Sequence, residues 1–289
     1  MKTSWRLWIL LGLACSVGAA SAVDRPGKPV VVGNTSAMRS GTLLREKREV
    51  RVEAGRTRQE IGTNITEATT RYVLRVNWVR RVMGVDAEEV QVRELMKECV
   101  HFSGEPPPPN ETAALFSKTL RARKKNGHWD YELTPGKATP AEALLLGELA
   151  LAADLLEVLP VCIGTGSRKP GEVWRTVLAA PRGNAYGWIV PDGFETTLVS
   201  VEDKADGPHA TFAITGKFHM ARPMNLNARM EVTFKATAIR RLSDMLDVDT
   251  KVTGQFVAAA QGAGPNREKI LLSYDYPFTL ARSLKIEGK

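Results

Sequence analysis

Apolar and polar positions alternate with a period of two along much of this chain. Tyr72, Leu74, Val76 and Trp78 alternate with Arg71, Arg75 and Asn77, which predicts a strand with one wet face. Val90, Val92, Met96, Val100 and Phe102 continue the pattern in a second strand. Leu115 to Lys125 and His128 to Leu133 flank Asn126-Gly127, a strong hairpin signal. Further strands are predicted over Glu172 to Ala179, Glu195 to Asp203, His209 to Met220, Ala228 to Arg241, Lys251 to Ala258 and Lys269 to Tyr276, with a last segment near Phe278 to Ile286. Thr69-Thr70 and Thr196-Thr197 each open a strand, a turn and another strand, an echo that implies two related β halves.

One helix interrupts the strands. Thr139-Pro140-Ala141-Glu142 combines an N-cap, a proline at the first helical position and a capping glutamate. The helix is expected over 139–158, stopping before Pro160, at a length of roughly 30 Å. Leu144, Leu145, Leu149, Leu151, Leu155 and Leu156 form one broad apolar face. Glu142, Glu148, Asp154 and Glu157 exclude a membrane span. Glu148 falls inside the apolar face, and a buried carboxylate is costly unless paired. The bland explanation is a salt bridge to an arginine of the sheet, or a tilt that brings Glu148 to the rim. The functional one is a ligand contact or an acid–base group in a cavity beneath the helix.

The first 22 residues break the pattern. Lys2 and Arg6 precede an apolar run from Leu7 to Ala20, and Ala20-Ser21-Ala22 follows. This is the order of a secretory signal peptide cleaved before Val23, with an apolar core too short for a permanent span. Export to the periplasm or outside the cell is therefore expected. Cys15 is not the expected lipidation site, because Gly12 stands where a branched aliphatic is usual. Residues 23–41 are rich in Gly, Pro, Ser and Lys and read as a flexible arm. Residues 42–289 read as a single β-rich domain. In an oxidising compartment, Cys99 and Cys162 are expected to form a disulfide, worth about 4 kcal/mol.

Charge narrows the classes of partner. The chain holds 40 basic and 32 acidic residues, a net of +8, and loss of the leader removes two of the basic ones. That excess suits an anionic lipid or wall polymer but falls short of a nucleic-acid binder. Arg121, Arg123 and Lys125 share one face of a predicted strand, read either as a charged sheet edge or as a docking stripe for an anionic polymer. No cofactor and no metal site is expected. His209 and His219 would lie roughly 33 Å apart on one strand. Cys99, His101 and Cys162 lack a fourth zinc ligand. Asp244, Asp247 and Asp249 lack the glycine of a calcium loop and read as a solvated turn or edge. Gly164-Thr165-Gly166-Ser167-Arg168-Lys169 matches no phosphate-loop spacing.

Lys169-Pro170-Gly171-Glu172-Val173-Trp174, followed by the strand pair around Val199 to Gly207, resembles exported β-rich bacterial proteins. The layout of antiparallel strands with one covering helix is similar to periplasmic lipoprotein-carrier half-barrels. The resemblance implies a non-enzymatic envelope protein and transfers no binding residue. The expected fold is α+β, mainly antiparallel β, a curved sheet or half-barrel with one long covering helix. The expected function is non-catalytic binding of an apolar or amphipathic ligand between sheet and helix. Glu148 would be its polar group, and Leu144, Leu151, Leu155, Trp78 and Trp174 its apolar lining. The alternatives are an envelope hydrolase using Glu148 and a structural module binding anionic polymer through Arg121, Arg123 and Lys125.

Overall fold

The computed structural model describes residues 28–33, 38–101, 115, 117–125, 128–176, 189–220, 227–263 and 268–287. Residues 1–22, on which the expected signal peptide falls, the Pro106 to Pro109 run and Asn126-Gly127 lie outside them. In chain order the elements are β1 (Val30–Val32), β2 (Leu43–Ile61), β3 (Asn64–Gly84), β4 (Ala87–His101), β5 (Thr119–Lys125), β6 (His128–Thr134), α1 (Pro140–Ile163), β7 (Gly166–Arg168), β8 (Val173–Thr176), β9 (Ile189–Lys204), β10 (Gly207–Met220), β11 (Asn227–Arg241), β12 (Leu246–Ala263) and β13 (Lys269–Ile286). Eleven strands make one open, curved antiparallel sheet in the order β6-β5-β4-β3-β2-β13-β12-β11-β10-β9-β8.

The order has a simple logic. β2 to β6 form one meander and β8 to β13 another. They join where β2 meets β13, with Val50 opposite Leu280 and Val52 opposite Phe278. The helix is the sequence link between the halves, and it also packs on both. Leu145, Leu146, Leu149 and Ala153 close a cluster with Leu74, Val76, Trp78, Val90 and Leu120. Ala152, Leu156, Leu159 and Ile163 close a second with Leu198, Phe212, Ile214 and Phe218.

The helix differs from its expectation in two ways. It continues to Ile163, through Pro160. Proline removes one intrahelical hydrogen bond and crowds the preceding turn. Burial of Val158, Leu159, Cys162 and Ile163 offsets that cost, at roughly 1.5–3 kcal/mol per large apolar side chain. The buried stripe is also rotated. It runs Leu145, Leu149, Ala152, Leu156, Leu159 and Ile163, while Leu144 is 61% and Leu151 43% exposed. A stripe through Leu144 and Leu151 contains Glu148, and burying it would bury a carboxylate. The buried face carries Glu142 and Asp154, but each is paired, Glu142 by Lys118 and the Thr139 N–H and Asp154 by the Trp129 N–H.

Further corrections concern the arm, the strands and the edge. Val30–Val32, within the expected arm, pairs antiparallel with Gly166–Arg168, and Val32 is fully buried. β13 is continuous through Pro277 where two segments were expected, because Pro277 falls at the register shift between Asp275 and Phe278 and need not donate there. β5 lies inside the sheet between β4 and β6, so the Arg121 stripe is not an edge. Asp247 is buried against Arg240 rather than solvated. Among the described residues, no helix is long and apolar enough to cross a membrane.

Candidate functional site

A cavity of about 330 Å3 lies between α1 and the β2–β13 seam. Its apolar walls come from Val50 and Val52 of β2, Leu74 of β3, Phe278 and Leu280 of β13, and Ala152 and Leu155 of α1. Leu151, partly in solvent, stands at its mouth. Strand alternation explains the sheet side, since Val50/Val52, Tyr72/Leu74 and Tyr276/Phe278/Leu280 are each spaced by two residues and share a face. Two glycines make room for the aromatic wall. A Cβ on Gly55 would sit 2.5 Å from the Tyr276 ring, and one on Gly254 would sit 2.7 Å from the Phe278 ring and 2.5 Å from the Thr233 carbonyl oxygen. The Tyr276 and Thr57 hydroxyls lie 2.7 Å apart and hydrogen-bond.

One polar cluster borders this apolar space. The Lys97 ammonium donates to Glu148 Oε1 at 2.9 Å, and the Tyr72 hydroxyl donates to Oε2 at 3.0 Å. Burial pushes the Tyr72 phenol well above its usual range, and the Glu148 carboxylate pushes it the same way. It stays a hydrogen-bond donor. Cys99 also lines the cavity. Burial raises its thiol, Lys97 pulls it back and Glu148 adds to the rise, so the thiolate needed for nucleophilic chemistry is disfavoured. Both oxygens of Glu148 are engaged, and no second carboxylate lines the cavity among the described residues. A hydrolytic site built on paired acids therefore lacks its second member here.

No protein-family model and no curated protein sequence matches this chain. Among solved structures, a chain described under "lipid-protein interactions in lipovitellin" is similar, at 8% identity and a TM-score of 0.42. The match covers 86% of this chain and 25% of that one, so the present chain spans about a quarter of that protein's length. That likeness is too loose to bring a function with it.

Of the residues expected at the site, Glu148, Leu151 and Leu155 line the cavity. Leu144 points to solvent. Trp78 is fully buried elsewhere, beneath the Arg48 guanidinium at 4.9 Å and stacked on Tyr131 at 5.7 Å. Trp174 packs edge-on to Phe212 and donates from Nε1 to the Cys162 carbonyl oxygen at 3.2 Å. Trp78 is core, and Trp174 is half-buried against the cluster that holds Phe212. The expected disulfide is not formed. Cys99 faces the cavity from β4, whereas Cys162 is buried near the end of α1 with its carbonyl accepting from Trp174, Thr176 and Thr196. Arg121, Arg123 and Lys125 are exposed on one face, but Glu132 and Asp130 stand directly opposite Arg121 and Arg123, and Lys125 pairs with Asp130 at 3.0 Å. A polymer would have to displace those carboxylates.

The residues not anticipated are Tyr72 and Lys97 as partners of Glu148, and the Tyr276–Phe278 wall. Lys97 and Cys99 are two residues apart on β4 and share a face. The pairing of Lys97 with Glu148 across 51 positions has no local signal. A larger hollow of about 520 Å3 is lined by charges of both signs, among them Lys47, Glu49, Arg75 and Asp249. An apolar occupant there would desolvate them at a cost.

Proposed function

We propose that this chain is an exported binding protein that holds one apolar or amphipathic chain in the cavity between α1 and the sheet, without catalysis. The carrying observation is the cavity itself. Space of about 330 Å3, walled by aliphatic and aromatic side chains and bordered by one polar cluster, fits the general design of small-ligand sites. The apolar walls drive uptake by removing apolar surface from water. The Lys97–Glu148–Tyr72 cluster orients a polar end, because exchanging a hydrogen bond with it costs less than leaving a polar group dry. Export rests on the order of residues 1–22. Kinship with exported bacterial β proteins rests on the Lys169 to Trp174 stretch.

The test uses the full chain and dansyl-undecanoic acid as a fluorescent probe. The wild type should bind it. Leu151→Trp, which lays a ring across the mouth from an exposed position, should weaken binding at least tenfold with the thermal midpoint kept. Leu155→Phe, which fills the interior, should do the same. Native mass spectrometry of the protein recovered from its host should show a bound apolar ligand on a chain that begins at Val23. No binding by the wild type, or equal binding by both variants, overturns the reading, and a recovered chain that still carries Met1 overturns the export part.

A further inference from the structure

A second cavity, of about 390 Å3, lies on the other side of α1 near Glu157, Pro160 and Val161. On β3 it meets Arg80 to Gly84, whereas the first cavity meets Thr70 to Leu74, a separation of roughly 33 Å between their centres along the strand. One wall is the third apolar cluster, Leu44, Val82, Leu246 and Leu284. The other wall is charged, and its charges are nearly all spoken for. Arg80 holds Glu88 with two hydrogen bonds of 2.7 Å and also contacts Glu46. Arg48 holds Glu46. Arg240 grips Asp247 at 2.6 and 3.0 Å. Lys124 pairs with Glu157 at 2.8 Å. Asp86, also on the rim, is exposed.

Arg282 is the exception. Among the described residues it has no carboxylate in ion-pair contact. Its Nη2 reaches the Asp247 carbonyl oxygen and Thr250 Oγ1 only at 3.4 Å. Its Nε–H is shielded from water and has no acceptor. Burial pushes this guanidinium below its ordinary range, although Glu46 and Asp247 pull the other way. An unsatisfied buried donor on a charged group is costly to leave, and the planar guanidinium is shaped to receive two oxygens side by side.

We infer that this cavity is a second binding site, for an anion with a carboxylate or phosphate group carried on an apolar body. The two oxygens dock on Arg282, and the apolar part lies along Leu44, Val82, Leu246 and Leu284. The site is independent of the cavity at Glu148.

Calorimetric titration of the full chain carrying Leu151→Trp, with the first cavity closed, tests it. The probes are dodecyl phosphate, dodecanoate and inorganic phosphate. Dodecyl phosphate and dodecanoate should bind, and adding Arg282→Gln should weaken both at least tenfold. Arg282→Lys, which keeps the charge but loses the fork, should give an intermediate loss and covers the case in which the glutamine variant fails to fold. Inorganic phosphate should bind at least tenfold more weakly than dodecyl phosphate. No uptake in the Leu151→Trp background, or equal affinity with and without Arg282, overturns the site. Inorganic phosphate binding as tightly as dodecyl phosphate overturns the apolar half and leaves a simple phosphate site.

Discussion

Glu46 shows how a single side chain can be buried whole and still ionised. It is fully buried. Burial works to raise its pKa, but Arg48, Arg80 and Arg282 outweigh that and hold it at about 2 against an ordinary 4.5. A carboxylate whose folded pKa is lowered contributes stability above its unfolded pKa and loses that contribution as the pH falls through the folded one. Its contribution is therefore full above pH 4.5 and fades towards pH 2. Glu46→Gln should cost about 3 kcal/mol in urea unfolding at pH 7, because it leaves buried guanidinium groups without their partner. The gap between variant and wild type should close on acidification towards pH 2. A gap independent of pH would show that the ionised form of Glu46 contributes nothing. Glu148 contrasts with it. The sequence marked Glu148 as a charge within leucines, and the structure puts it at the rim of that face, held by Lys97 and Tyr72.

At the scale of elements, α1 was legible at its start and not at its end. Thr139 and Glu142 form the reciprocal cap foreseen from four consecutive residues, with Thr139 N donating to Glu142 Oε2 at 2.7 Å and Glu142 N to Thr139 Oγ1 at 3.3 Å. The Lys118 ammonium, and then the Thr139 N–H, hold the Glu142 carboxyl down at about 2. Thr139→Ala should lower stability by about 1 kcal/mol, read as a shift in urea midpoint with unchanged slope. An unchanged midpoint would mean that packing alone fixes the helix start. The end differs because local rules stop a helix before proline, whereas the turns around Pro160 bury Val158, Leu159, Cys162 and Ile163 on one side. The helical wheel failed for a related reason. Two leucine-rich stripes compete on α1, and the one that holds Glu148 lies at the rim, where Lys97 and Tyr72 reach the carboxylate. The strands were easier, since alternation is a local property of each.

At the scale of the molecule, the sheet holds together through the pairing of β2 with β13, from opposite ends of the chain, and through a helix that packs on both meanders. Among the described residues no disulfide reinforces this, Cys99 and Cys162 being free. A Cys99–Cys162 bridge would have stabilised the fold by about 4 kcal/mol in the chain-entropy model, so reductant would lower the thermal midpoint by several degrees if it existed. The midpoint should instead be the same with and without reductant. The echo between Thr69-Thr70 and Thr196-Thr197 already implied two β halves around the helix. Neither cavity was visible at that level, because each is bounded by residues tens to hundreds of positions apart. By itself the sequence determined the mainly antiparallel β class, the long helix α1 with its cap, and the leader-like order of the first 22 residues, because alternation, capping and apolar run length are set by neighbours. The tertiary structure alone decided which face of α1 is buried, that Lys97 and Tyr72 hold Glu148, that Trp78 is core with Trp174 packed against the second cluster, and that Arg282 is left without a carboxylate among the described residues. Those outcomes depend on which distant strands meet under the helix, and the energy of burying a charge or filling a cavity is fixed only once they do.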